Sequence, residues 1–437
     1  MNNLNSNHSE DKPQIAVVGG GLGGLIAAHQ LTAGGAKVTV FERDHHAGGR
    51  AQTLSREGFH LNLGPHALYA AGEANQFLKS IGIVPPGGMP EPKRRLATFQ
   101  GEVYDLPVSP ATLLSTKLMS ISEKFEFGQL LQSLDSIDWS EFMGVSLESY
   151  LEEKLKSAHV RTVIKSLARV NTYGNNPTKM SAGAVFEQMK IGLQGVYYLD
   201  NGWASIVADI QEKLADKVEF KFESKVELVE STDDGVYVTV SGVKHRFDNV
   251  ILAVPPNAVQ QLAPAAIPAN VARNILPSKA ACLDVCLRRL PKHENEFAIG
   301  IDEPLYFSVH STAAKLSPTG GAMIHLAVYL GENDGTHEHE ERLMRLLDQL
   351  QPGWRDELVF KRFLPNMNAS FGIPLADLKG NYAIASPEVP HMKGVYIVGD
   401  YVGRGAMLVD QSVKNALETA DRILQSNISH RASLLCS

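Results

Sequence analysis

The stretch Ile15–Arg50, IAVVGGGLGGLIAAHQLTAGGAKVTVFERDHHAGGR, constrains the fold more than any other part of the chain. Its first apolar run, Ile15–Val18, has the length of a buried parallel strand. Gly19, Gly21 and Gly24 then form G-x-G-x-x-G, Leu22–Leu31 carries helical apolar spacing, and a second run, Lys37–Phe41, ends in Glu42. Strand, glycine turn, helix, strand and an acid about 20 residues further on make up the dinucleotide fingerprint. Gly19 permits the tight turn, Gly21 lets the backbone approach a pyrophosphate, and Gly24 lets helix and strand pack closely. The helix start, with Leu22 and Gly23, offers free N–H groups and a partial positive charge to phosphate. Glu42 can accept hydrogen bonds from ribose hydroxyls, and its charge repels a 2′-phosphate.

A chain of 437 residues has room for two domains, and its 44% apolar and 20% charged residues are ordinary for a globular protein. The net charge of −7, with no long basic run, argues against a nucleic-acid partner. Cys282, Cys286 and Cys436 make no disulfide framework, and the even spacing of the first two puts them on one face of a strand as buried thiols. Residues 1–12 are polar, without the apolar segment of a signal peptide, and read as a disordered leader. No apolar run reaches the length of a membrane span. A cytoplasmic protein is the expectation, with peripheral membrane contact left open.

Further along, Glu73–Ile81 reads as a short helix and Arg94–Leu106 as a hairpin turning at Gln100-Gly101. Ser109 to Met189 is mostly helical, and Leu113, Leu114, Leu118, Ile121 and Phe125 fall near one face, a stripe expected in a core. Consecutive strands follow at Val218–Phe222, Lys225–Ser231, Val236–Ser241 and Lys244–Phe247, with a buried run at Asn249–Val254. Strands at Ala281–Arg288 and Met323–Leu330 and a helix at His337–Leu350 fill a second mixed region. The chain closes with strand Gly394–Val398, loop and helix Leu408–Gln425, a return to the nucleotide fold. An α/β nucleotide domain is therefore assembled from separated segments around an inserted α+β domain.

Three stretches together resemble the FAD-dependent superfamily of flavin amine oxidases, protoporphyrinogen oxidases and phytoene-desaturase-type enzymes. They are VVGGGLGGLIAAHQL with VTVFERDHHAGGRAQT, RVNTYGNNPTKMSAGAVFEQM with LDNGWASIVADI, and GVYIVGDYVGRGAMLVDQSVKNALETADRIL. The resemblance implies a Rossmann-type FAD-binding domain in residues 13–72, 200–257 and 385–425. It implies a substrate domain in 73–199 and 258–384, leaving 426–437 as a tail. It implies that Gly19, Gly21, Leu22, Gly23, Gly24, Glu42, Arg43, Gly49 and Arg50 hold the ADP half of FAD, with the Val226 backbone at adenine. Gly399 and Asp400 would meet the ribityl chain, Met407, Leu408 and Val409 the pyrimidine edge, and Gly64, Pro65 and His66 the flavin ring. No Ser-Gly-Gly-Cys precedes the C-terminal motif, so the FAD is expected to be non-covalent. Asp410-Gln411-Ser412 stands where amine oxidases usually have Glu-Gly-Ala, which counts against amine oxidation.

The implied activity is dehydrogenation of an apolar or partly apolar small molecule by hydride transfer to flavin N5. Oxygen or another electron acceptor would then reoxidise the flavin. A flavin amine oxidase, a redox-neutral isomerase using reduced FAD and a non-catalytic flavin-binding protein are the alternatives. His66 is the candidate proton carrier. Tyr173, Tyr198 and Trp203 are candidate walls of a substrate pocket, and Arg362 a candidate partner for a substrate carboxylate. His45 and His46 read as loop residues, and His337-x-His339 among glutamates as a solvated face, so no metal site is expected.

Overall fold

The computed structural model describes residues 12–332, 334–335 and 338–435, of which 427–435 by their backbone alone. The proposed leader lies outside the described residues apart from Lys12, and so do Cys436 and His337. The fingerprint folds as its pattern dictates: strand Gln14–Val18, helix Leu22–Ala33, strand Lys37–Phe41. A five-stranded parallel sheet runs in the order Val218–Lys221, Lys37–Phe41, Gln14–Val18, Asn249–Leu252, Val395–Ile397. Its strands come from three distant parts of the sequence, as expected of a domain assembled from separated segments. Parallel strands need both faces covered. Leu25, Ile26 and Leu31 of the first helix and Val413, Ala416 and Ile423 of the last cover one face. The antiparallel sheet of Val226–Thr232, Gly235–Val240 and Val243–Phe247 covers the other.

The second unit is a seven-stranded, mainly antiparallel sheet. Its order is Leu358–Ser370, Ser278–Leu287, Ala322–Leu330, Leu305–Val309, Asn295–Gly300, Arg94–Phe99, Glu102–Asp105. The last two strands are the hairpin turning at Gln100-Gly101. Strand Ser278–Leu287 is buried on both sides, and its period of two sorts it. Leu283, Val285 and Leu287 pack under helix His339–Leu350, while Ala280 and Cys282 face the helical insertion. Cys282 and Cys286 are buried free thiols on one face, as their spacing implied.

The insertion holds helices Ile121–Ser133, Leu147–Lys154, Ala158–Thr172 and Ala182–Leu193. Ser146 accepts from the Ser149 N–H at 3.1 Å and so starts the second of these. Trp139 stacks on Phe186 at 4.2 Å in the middle of this core. The expected stripe departs from its pattern. Leu118 is buried and Leu113 half-buried, but Leu114, Ile121 and Phe125 are 79%, 88% and 68% exposed. The segment is helical there, as Pro110–Ser115 and Ile121–Ser133, but nothing among the described residues packs over that edge. The final helix also continues beyond Gln425, from Leu408 to Leu435.

Candidate active site

A cleft of about 570 Å³ runs from the fingerprint to the face of the large sheet. At its first end the glycines do what their positions require. Gly19 has φ +107°, and a Cβ there would lie 2.4 Å from the Ala253 carbonyl oxygen. A Cβ on Gly24 would lie 2.1 Å from the Gly19 carbonyl oxygen, whereas one on Gly21 would meet nothing within 4 Å. Gly19 and Gly24 are thus fixed by close packing, and Gly21 by the open space it leaves in the cleft. Gly21 is the N-cap of the first helix and no side chain caps it, which leaves N–H groups for an anion. Glu42 accepts from the Gly20 N–H at 2.7 Å and the Asp44 N–H at 3.0 Å. Leu22, Gly23, Arg43 and Val226 also line the cleft. An uncapped helix end, a Cβ-sized gap and a held carboxylate fit a dinucleotide of the FAD type, pyrophosphate at the helix and ribose at the acid.

The second glycine motif sits against the first. Gly48 donates its N–H to the Gly20 carbonyl at 2.9 Å, and Gly49 lies in the cleft wall. Arg50 and Asp400, expected separately at the cofactor, are paired with each other at 2.7 Å, with Asp400 buried. Arg50 also donates to the Ala369 carbonyl at 2.8 Å and lies 4.5 Å above the Phe371 ring. This one arginine ties the two cofactor motifs to the large sheet. Arg50→Met is expected to destabilise the flavin-free protein by about 2 kcal/mol. That is less than for a fully buried pair, because the Arg50 side chain is 36% exposed. Arg50→Lys should recover only part, lacking the second donor direction. Urea unfolding of the three proteins checks this, and equal midpoints would contradict it.

At the other end, Pro65 and His66 line the cleft, and Gly64 lies just behind it. Gly64 has φ +77°, and a Cβ there would collide with Met367 Cε at 2.6 Å and Cys282 Sγ at 2.9 Å. His66 Nδ1 is 3.1 Å from the Gly64 carbonyl oxygen. A carbonyl only accepts, so Nδ1 carries the hydrogen and Nε2 keeps its lone pair. No described residue bonds Nε2. Burial drives the His66 pKa down to about 4, so the ring is neutral at pH 7. Trp203 packs edge-on against it at 5.1 Å. Tyr173 lines the cleft and donates to the Pro65 carbonyl at 2.7 Å. Tyr198 does not line it: it is buried and stacks on His310 at 3.6 Å. Met407 is buried beside the helical insertion, while Gly399, Leu408 and Val409 reach the cleft.

Sequence reasoning missed several groups. Tyr69 and Met367 wall the cleft, and no local motif marks either. Arg362 pairs with buried Asp284 and so is not free for a substrate carboxylate. Asp410 and Gln411 are braces: Asp410 accepts from the Ala74 N–H at 2.8 Å, and Gln411 holds the Val402 carbonyl and Ala406 N–H. The other Asp410 oxygen has no partner. Burial pushes the Asp410 pKa up to about 7, with the Ala74 bond opposing and Glu73 adding. A carboxyl raised in the folded state stabilises the protein below its unfolded pKa of about 4, and that share is lost as pH rises through 7. Asp410→Asn keeps the acceptor for Ala74. It is expected to remove this loss, gaining roughly 2–4 kcal/mol relative to wild type between pH 5 and pH 8. Denaturation at both pH values checks it, and parallel losses in the two proteins would contradict it.

Comparison with known proteins agrees with this architecture. A model of the flavin containing amine oxidoreductase family matches residues 22–424. Protoporphyrinogen oxidase 2 of Arabidopsis thaliana is 31% identical over 115 residues, 26% of this chain and 23% of that protein. The match thus spans about a quarter of that relative's length. The 4,4'-diapolycopen-4-al dehydrogenase of Metabacillus indicus is 22% identical over 416 residues, covering 80% of this chain and 82% of its own. The solved structure of cyclohexylamine oxidase from Brevibacterium oxydans superposes with a TM-score of 0.73 at 17% identity, over 95% of this chain and 99% of its own. At that identity the likeness shows the fold. Among the described residues no group of three His, Cys, Asp or Glu could hold a metal, and no helix is long and apolar enough to cross a membrane.

Proposed function

This chain belongs to the flavin-containing amine oxidoreductase family, and on that premise we propose that it is an FAD-dependent oxidoreductase dehydrogenating an apolar or partly apolar organic molecule. The observation that carries the choice of substrate is the charge map of the cleft. Its acids are Glu42 and Asp44 at the fingerprint and Asp400, which is committed to Arg50. The far end is walled by Tyr69, Tyr173, Trp203, Met367 and Leu408, with His66 its one imidazole. An ammonium group entering there would lose its hydration and gain no counter-ion, whereas an apolar skeleton gains roughly 25 cal/mol per Å² buried. This favours a neutral, largely apolar molecule over an amine.

In this reading the uncapped helix at Gly21 and the Glu42 carboxylate hold the ADP half of the non-covalent cofactor, with Val226 beside it. Gly399 and the start of the last helix at Leu408 and Val409 hold the flavin half, beside the Arg50–Asp400 pair. FAD bound there would supply a hydride acceptor, with oxygen or another acceptor as the final oxidant. The protein's share is orientation, exclusion of water and a place for the proton. Removing hydride from one carbon and a proton from its neighbour leaves a double bond. His66 Nε2, with its lone pair directed away from the Gly64 bond, takes that proton.

The test is anaerobic mixing of the FAD-loaded protein with a polyene, a reduced tetrapyrrole and a primary amine. Bleaching by the polyene or the tetrapyrrole is expected. Bleaching by the amine alone would contradict the reading.

The exposed Leu114, Ile121 and Phe125 support an extension to peripheral membrane contact. Lys124 donates to the Leu114 carbonyl at 2.7 Å, which draws the two helix ends into one apolar edge. Ile121→Ser with Phe125→Ser is expected to abolish co-sedimentation with phospholipid vesicles. A wild-type protein that does not sediment would contradict the extension.

A further inference from the structure

Helix Ala158–Thr172 ends beside the segment that carries His66, and two tyrosine hydroxyls tie them together. Tyr173, just past the helix, donates to the Pro65 carbonyl at 2.7 Å. Tyr69, on the His66 segment, donates to the Asn171 carbonyl at 2.8 Å. Both tyrosines line the cleft. Burial pushes both phenols above the usual tyrosine range, so each keeps its hydrogen and remains a donor. A hydroxyl has a single hydrogen, and here each is committed to backbone.

Tyr173 sits in a conformation that its side chain disfavours. It is the C-cap of the helix, with φ +56° and its N–H bonded to the Arg169 carbonyl at 2.8 Å. A left-handed residue at a helix end is usually glycine or asparagine, because a Cβ crowds the following carbonyl. Among the described residues, the non-glycine residues with positive φ are exposed except Tyr173 and Leu408, the latter at +58°, and both of these line the cleft. Strain of this kind persists only where the surroundings hold it, and it gathers where a side chain has a function.

The Tyr173 bond reaches His66 through one rigid unit. The Pro65 carbonyl and the His66 N–H belong to the same planar peptide. That peptide lies within the ring of atoms closed when His66 Nδ1 donates to the Gly64 carbonyl at 3.1 Å. If the peptide turns, the ring no longer closes in the same way. Gly64 has no room to follow, being packed on Met367 and Cys282. Pro65 is buried, so its carbonyl, once released from Tyr173, has reason to turn toward another donor.

We propose that Tyr173 is a positioning residue for His66: by holding the Pro65–His66 peptide it keeps the ring hydrogen on Nδ1 and leaves the Nε2 lone pair free. The catalytic meaning rests on His66 as proton acceptor in the reaction proposed above, but the state of the ring can be measured without substrate or FAD. Tyr69 supplies the comparison. Its hydroxyl makes a bond of the same kind across the same seam, but to Asn171 and not to the His66 peptide.

The test records the ring-nitrogen NMR signals of His66 in the full chain with labelled histidine, at pH 7, where the ring is neutral. His66→Asn assigns the signals. Wild type is expected to show a single tautomer with the hydrogen on Nδ1. Tyr173→Phe keeps the aromatic ring and the backbone and removes only the hydroxyl, and it is expected to shift the signals to a mixture of both tautomers. Tyr69→Phe also loses one hydroxyl bond, so general loosening would act in both variants, yet it should keep the wild-type tautomer. A mixture already present in wild type, an unchanged tautomer in Tyr173→Phe, or the same shift in both variants would overturn the proposal. In the FAD-loaded protein, mixed with the compound that bleaches it in the test above, Tyr173→Phe should lower the rate of flavin reduction by on the order of 10²-fold with KM little changed, as expected of a misplaced group. If the tautomer shifts but that rate stays at the wild-type value, the positioning stands and the proton-acceptor reading falls.

Discussion

Gly24→Val is expected to give a protein that retains no flavin. A Cβ at this position would sit 2.1 Å from the Gly19 carbonyl oxygen. That oxygen belongs to backbone and cannot swing aside, because the Gly20 N–H of the same peptide unit is bonded to the Glu42 carboxylate at 2.7 Å. The first helix would have to lift from the sheet, taking with it the helix end at Gly21 and the packing of Leu25 and Leu31. Overpacking of this kind costs about 1–3 kcal/mol, occasionally more. Gly21→Ala offers the contrast: a Cβ there meets no protein atom within 4 Å. It should fold normally and lose only cofactor affinity. Thermal unfolding separates the two, and a Gly24→Val protein that is yellow and as stable as wild type would contradict the packing account.

His66→Asn is expected to lower the rate of substrate-driven flavin reduction by roughly 10²–10⁴-fold, the usual share of a positioned base. Its pH dependence has a definite sign. A histidine held down to about 4 is already neutral through the neutral range, so kcat/KM should be flat from pH 6 to 8 and fall only in acid, as His66 is protonated. The same depression makes His66 favour the unfolded state on acidification. Its contribution to stability is present above its unfolded pKa of about 6.5 and is lost as pH falls through 4. A rate that the substitution leaves unchanged would remove His66 from the chemistry.

What the sequence made legible was local. The fingerprint glycines, the Glu42 acid, the hairpin at Gln100-Gly101 and the shared face of Cys282 and Cys286 depend on spacings within a few turns or one strand. The pairing of Arg50 with Asp400 brings together positions 350 residues apart, and Arg362 meets Asp284 and Asn62 across 78 and 300 residues. No periodicity carries that. The stripe of Leu114, Ile121 and Phe125 shows a second limit. Helical spacing shows that one face is apolar, and only the tertiary arrangement decides whether anything covers it. Tyr198 shows a third: an aromatic near a motif suggests a pocket wall, yet its hydroxyl is drawn inward to Ser308 at 3.1 Å. The Asp410-Gln411-Ser412 departure was visible, but its meaning as a brace for Ala74 and the Val402–Ala406 loop was not.

Whether this cleft holds non-covalent FAD is read from the visible absorbance of the purified full chain before and after adding FAD and removing the excess. The expected result is the absorbance of oxidised flavin at one FAD per chain, with all of it released into solution when the protein is denatured. A protein that shows no flavin band even after incubation with FAD would contradict the cofactor assignment and the function built on it.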